Sequence, residues 1–109
     1  MNKTLHGTVT VKLGDEEFTL QPTLKAVRAI ESRLGGLRGA SQTINALSVD
    51  GCAIILAAGA DLEGKSAEAI PEKVWQAGVL GVSVQLNAYL AALYNPRGGD
   101  QGNDQAGAA

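Results

Sequence analysis

The residue types from which most active sites are built are scarce in this chain. A single cysteine, Cys52, excludes an intramolecular disulfide, and a single histidine, His6, leaves no His/Cys cluster at metal-ligand spacing. Zinc chemistry is excluded with them. The aromatic residues are only Phe18, Trp75, Tyr89 and Tyr94, too few for a platform on which bases or sugars stack, so single-stranded nucleic acid is a poor partner. Charge is sparse and nearly balanced, 9 Lys and Arg against 11 Asp and Glu, and the net charge of −2 has the wrong sign for gripping a phosphate backbone. Duplex binding is disfavoured too. No stretch approaches the ~20 apolar residues of a membrane span. The segment from Met1 to Thr10 lacks the apolar run of a signal peptide, so a cytoplasmic, reducing location is expected.

What remains is a chain of 109 residues, 45% of them hydrophobic, enough for one folded domain with a core of Ala, Leu, Val and Ile. Residues 6–13 alternate so that Val9, Val11 and Leu13 share one face of a strand. Gly14-Asp15 supplies a turn, and Glu16 to Gln21 alternates again with Phe18 and Leu20 inward, which predicts a β-hairpin. A lone hairpin is marginal in water and must lie on the helices that follow. Thr23 is placed to cap a helix with Leu24, Val27, Ile30 and Leu34 inward, stopped by Gly35-Gly36. A Gly-rich link through Gly39 leads to Ser41, the expected cap of a short helix carrying Ile44 and Leu47. Ser48 caps the next run. Cys52 to Ala58 is uninterruptedly apolar, compatible with a buried helix or a buried strand, and its alanines favour helix.

Gly59 to Ser66 reads as a polar, turn-rich loop. Pro71 belongs in the first turn of a helix holding Val74 and Trp75, and from Val79 to Tyr94 the stripe Val82, Leu86, Tyr89, Leu90 and Leu93 repeats at helical spacing until Asn95-Pro96 ends it. Residues 97–109 contain no large apolar side chain. The expected architecture is α+β, an N-terminal β-hairpin packed on a small bundle of about four helices over residues 1–96, with a disordered tail over 97–109. The hairpin should pack on the first and last helices, bringing Val9, Val11 and Phe18 against Leu24, Ile30, Leu86, Leu90 and Leu93.

One motif calls for a decision. Gly59-Ala60-Asp61-Leu62-Glu63-Gly64-Lys65-Ser66 matches the P-loop pattern G-x-x-x-x-G-K-S letter for letter, which makes Gly59, Gly64, Lys65 and Ser66 candidate nucleotide-binding residues. That site requires a preceding strand, backbone N–H groups wrapped around the phosphates and a helix opening at the Lys-Ser pair. Asp61 and Glu63 instead put two carboxylates inside the loop, and Pro71 interrupts the helix that should run on from Lys65. No apolar strand ending in an Asp offers a magnesium ligand. The expectation is an exposed connection between helices, with no cofactor.

The other polar residues form no constellation. His6 has no acid, thiol or hydroxyl partner placed by sequence, Cys52 lies in apolar surroundings that raise a thiol's pKa, and Glu16 and Glu17 point to opposite faces of a strand. Asn87 is the notable polar residue on the otherwise apolar last helix, either a register-setting contact or its solvent side. No catalytic set and no metal site emerge, which points to a binding protein acting through an exposed hairpin edge or an Ala-rich helical surface.

The succession of hairpin, capped helix, glycines, apolar helix, polar loop and Gly-punctuated final helix resembles the gene transfer agent family of tail proteins, related to phage tail assembly chaperones. The likeness is carried by Thr23-Leu24, Ala29-Ile30-Glu31, Leu34-Gly35-Gly36-Leu37, Ala53 to Gly59, and Gly78 with the apolar helix after it, and covers residues 6–94. The acid run that heads one helix in that family has a looser counterpart in Ser66-Ala67-Glu68-Ala69-Ile70-Pro71-Glu72. The resemblance implies a protein of a phage-like tail, from a gene transfer agent or a prophage, with no enzymatic activity. It would be a chaperone that binds the tape-measure protein and helps recruit tail tube subunits, or else a minor component of the tail tube. Self-association into a homo-oligomer is compatible with either role. A small P-loop nucleotide binder and a regulatory interaction module are the rival readings.

Overall fold

A turn at Gly14-Asp15, with Gly14 at φ 64°, folds the first strand, β1 (Val9–Leu13), back on the second, β2 (Glu16–Leu20). Their antiparallel register pairs Val9 with Leu20, Val11 with Phe18 and Leu13 with Glu16, so the alternating apolar residues share the inner face as the pattern predicts. The computed structural model describes residues 8–96; the expectations for His6 and for a disordered tail over 97–109 lie outside the described residues.

Six helices follow: α1 (Leu24–Leu34), α2 (Leu37–Asn45), α3 (Val49–Ala60), α4 (Gly64–Glu68), α5 (Ile70–Ala77) and α6 (Val79–Tyr94). The fold is α+β, a hairpin on a helical bundle, with more helices than the four expected: α2 starts ahead of the short helix expected after Ser41, and the short α4 forms partly within the stretch that reads as a polar loop. Local chemistry accounts for several helix ends. The Thr23 Oγ1 accepts the N–H of Ala26 at 3.1 Å and the Ser48 Oγ accepts that of Gly51 at 2.9 Å, each satisfying an orphan donor of a first turn. Gly35 closes α1 in the left-handed conformation at φ 81°, its N–H donating to the carbonyl of Glu31 at 3.0 Å. Pro71 sits in the first turn of α5, and the apolar run from Cys52 lies within a helix.

Four placements differ from the sequence reading. α2 begins at Leu37, not after Ser41, because Gly39 is a packing residue instead of a linker. A Cβ there would stand 1.9 Å from the carbonyl oxygen of Leu34, so only glycine lets the two helices approach this closely. Leu47 falls beyond α2 at φ 58° and is exposed. Leu24, expected to pack inward, leaves 64% of its surface to solvent. Finally, the hairpin rests on α3 through β2 and on α6 and α5 through β1, instead of on α1.

The core lies where these surfaces meet. Val11, Leu13 and Leu20 of the hairpin join Ile30, Ile44, Ile55, Leu56, Val74, Leu86, Tyr89 and Leu90 in one buried cluster. Its polar joint is at the end of β2, where the hydroxyl of Tyr89 donates to the carbonyl of Gln21 at 2.6 Å and the N–H of Gln21 donates to the carbonyl of Gly59 at 3.1 Å. Burial pushes the Tyr89 phenol far above its ordinary value, so it stays a neutral donor. Gly59 allows this joint to close: a Cβ at that position would lie 2.8 Å from the Tyr89 ring and 2.9 Å from the Leu20 Cβ.

Candidate partner-binding surface

The P-loop match does not fold as a phosphate cradle. Gly59 is buried inside α3, which runs on through Ala60 and ends on Asp61 in the left-handed conformation at φ 58°. Gly64, Lys65 and Ser66 open the five-residue α4, so the motif joins two helices and is preceded by a helix instead of a strand. Of the expected exposed loop only Asp61, Leu62 and Glu63 lie outside a helix. Its two carboxylates face a lysine of α1: Lys25 Nζ lies 2.7 Å from Asp61 and 3.7 Å from Glu63. The hydrogen bond from Lys25 to Asp61, with that carboxylate's charge, raises the lysine's pKa and keeps it charged.

The remaining polar candidates are dispersed. Cys52 is fully buried in α3 and its thiol is pushed up by desolvation, the behaviour of a small core hydrophobe. Glu16 pairs with Lys73 of α5, while Glu17, on the opposite strand face, lies 3.8 Å from Lys12. Asn87 is exposed on α6. Among the described residues no group of three or more His, Cys, Asp or Glu side chains is arranged to hold a metal ion.

Apolar surface stands out where chemistry does not. α6, of sequence Val-Leu-Gly-Val-Ser-Val-Gln-Leu-Asn-Ala-Tyr-Leu-Ala-Ala-Leu-Tyr, has no charged residue in sixteen positions. One face packs on α2, α3, α5 and β1, and the opposite face is open. On it Leu80, Val84 and Tyr94 remain 65%, 64% and 57% exposed, with Gly81, Asn87, Ala88 and Ala91 between them. Surface helices of single-chain proteins place charge on such a face, and helices apolar all round are covered on all sides. The spacing of Leu80, Val84, Asn87, Ala91 and Tyr94 is four, three, four, three residues, the interval of a seam between two helices.

Two further surfaces flank the bundle. Ala29 of α1, Ala53, Ile54 and Ala57 of α3, Leu62 and Pro71 line a groove of about 460 Å³, with Arg33, Asp50 and Glu68 at its rim. The hairpin edges are unequal. The edge of β1 is closed by Gln85 of α6, whose amide accepts the N–H of Lys12 at 2.8 Å and donates to its carbonyl at 3.2 Å. β2 has no strand beyond it among the described residues.

No protein-family model, curated protein or solved structure matches the chain. Among the described residues no single helix is long and apolar enough to cross a membrane. The stripe of α6 that stands out in the sequence, Val82 to Leu93, is the one the fold buries, and the opposite stripe is the one left open. The signal was available in the absence of any charge between Val79 and Tyr94.

Proposed function

We propose that this chain is a non-catalytic assembly protein of a phage-like tail, a chaperone that binds the long helical tape-measure protein and helps tail tube subunits gather on it in the bacterial cytoplasm. The observation that carries the reading is the open, uncharged face of α6 with its two-helix spacing. A tape-measure protein presents long apolar helical stripes that aggregate while unassembled, and a small domain offering a matching stripe covers them until tube subunits take its place. The alanine-lined groove between α1 and α3 extends the apolar surface on another side of the bundle. Such contacts must be reversible, which suits a binding face built from Leu, Val and Ala with few large aromatic anchors.

Co-expression with a tape-measure protein tests this. The soluble fraction of the partner should rise and a complex should co-elute on size exclusion at micromolar concentration, and Val84→Glu should abolish both. Unchanged partner solubility with no complex would remove the chaperone role and leave a minor tail tube component as the better reading.

A further inference from the structure

We infer that the free edge of β2 is a binding site for an extended, basic segment of a partner protein, which adds to the hairpin as a third, antiparallel strand. On the other edge Gln85 takes both the N–H and the carbonyl of Lys12, so Lys12 turns its backbone groups away from β2, and its register partner Glu17 turns its own away from β1. Thr19, two residues on, does the same. Among the described residues nothing bonds to the backbone N–H or carbonyl of either, and both residues are exposed. Two donors and two acceptors repeating every ~6.8 Å along one line are met in full by one kind of ligand, a second extended backbone. The fold meets that demand on β1 with an amide side chain and leaves it unmet on β2.

Side chains decide which segment fits. In the added strand the residues opposite Glu17 and Thr19 stand on the solvent face and the residue between them stands beside half-buried Phe18, so the matching pattern is base, apolar residue, base. Charge sets the bases: β2 carries Glu16 and Glu17 and no Lys or Arg, and Glu17 has only the exposed Lys12 near it, at 3.8 Å. The same carboxylate works against a second copy. Paired so that residues 17 and 19 of one β2 meet 19 and 17 of the other, two copies would hold their Glu17 side chains diagonal to one another on one face, within reach of mutual repulsion. A carboxylate on the edge thus discourages self-pairing and admits a basic strand. Beyond Thr19 the edge opens on a cavity of about 230 Å³ with Gln21, Thr23 and Lys25 in its lining, which has room for a side chain at the N-terminal end of the incoming segment. The site depends on the β2 edge alone, and neither on α6 nor on the tail-assembly role.

Titrating the isotope-labelled full chain with the probe acetyl-Val-Lys-Val-Lys-Val-amide should shift the amide signals of Glu17 and Thr19 and slow their hydrogen exchange, with a Kd of about 10–500 μM. The same probe methylated on both lysine backbone nitrogens, and its counterpart with Glu in place of Lys, should each bind at least about tenfold more weakly. Thr19→Pro removes an outward N–H and leaves the bonds to β1 intact, so it should retain the wild-type circular dichroism and lose binding. Glu17→Lys, at an exposed position, should keep the fold and reverse the preference, taking the Glu probe over the Lys probe. No response of Glu17 and Thr19 at millimolar probe, equal affinity for the methylated or the Glu probe, binding retained in Thr19→Pro, or an unreversed preference in Glu17→Lys would each overturn the inference. Slow exchange of both amides before any probe is added, or a wild-type mass of two chains that Thr19→Pro returns to one, would also overturn it, by giving the edge to the chain itself or to a second copy. These readouts use the purified chain and a synthetic probe, so they fail independently of co-expression.

Discussion

α3 and α6 are both predominantly apolar and almost free of charge, and they have opposite fates. Asp50 is the only charged residue of α3, and α6 has none. Yet α3 is packed between α1, α2, α5, α6 and β2, and of its twelve residues only Asp50 is exposed. α6 buries seven residues of sixteen and exposes seven others. An apolar helix in the middle of a bundle is fully used by the fold, while the same kind of helix at its margin retains a face the fold does not need. The difference separates positions that hold the protein together from positions free to serve a partner.

The sharpest way to break that comparison is to truncate leucines on each surface. Leu56→Ala in α3 and Leu90→Ala on the inner face of α6 should each lower the unfolding free energy by ~2–5 kcal/mol, because both side chains are enclosed and leave cavities. Leu80→Ala on the outer face should stay within ~0.5 kcal/mol, as should Lys12→Ala on the solvent face of β1. Denaturant titrations giving equal losses for Leu80 and Leu90 would refute the two-faced description of α6.

Alkali probes the buried faces of both helices in turn. Burial raises the pKa of Cys52 in α3 and Tyr89 in α6 above their ordinary values of 9.0 and 10.0. The unfolded chain therefore loses these protons first, so their contribution is complete below about pH 9 and declines as the pH climbs through the unfolded thiol and then the unfolded phenol. Melting temperatures measured from pH 7 to 11 should show that decline, and Tyr89→Phe should remove its later part.

Gly59→Ala tests the joint between the helices. Alanine is the better helix former, yet its Cβ would press on Tyr89 and Leu20, and a net loss of ~1–3 kcal/mol is expected. A gain in melting temperature would mean that Tyr89 moves aside easily. Ser48→Ala, which removes the cap of α3, should have a smaller effect of ~1 kcal/mol, measured in the same titrations.

Legibility in the sequence followed the range of the interaction. The hairpin register, the caps at Thr23 and Ser48, the stop at Gly35 and the stripe from Val82 to Leu93 depend on neighbours a few residues away, and each was readable. Gly39 and Gly59 were misread as punctuation because glycine marks both a turn and a close approach, and only the neighbours from Leu34, Leu20 and Tyr89 tell the two apart. Leu24 satisfies the helical pattern but lies where no other element covers it. The open apolar face of α6 is hard to read for a related reason: an apolar stripe identifies a surface to be covered, not which of two such stripes the fold will cover.

By itself, then, the amino-acid sequence determined the local events: where strands turn, where helices are capped, and which residues are too apolar to leave in water. It also determined the near absence of chemistry-bearing side chains. Tertiary structure alone decided that the hairpin lies on α3 and α5 instead of α1, that Gln85 closes the edge of β1, and that α3 is enclosed while α6 is left half open. Burial depends on every element packed nearby, and hydrophobic attraction has no direction, so the sequence states the demand for cover and only the assembled bundle shows where that demand goes unmet.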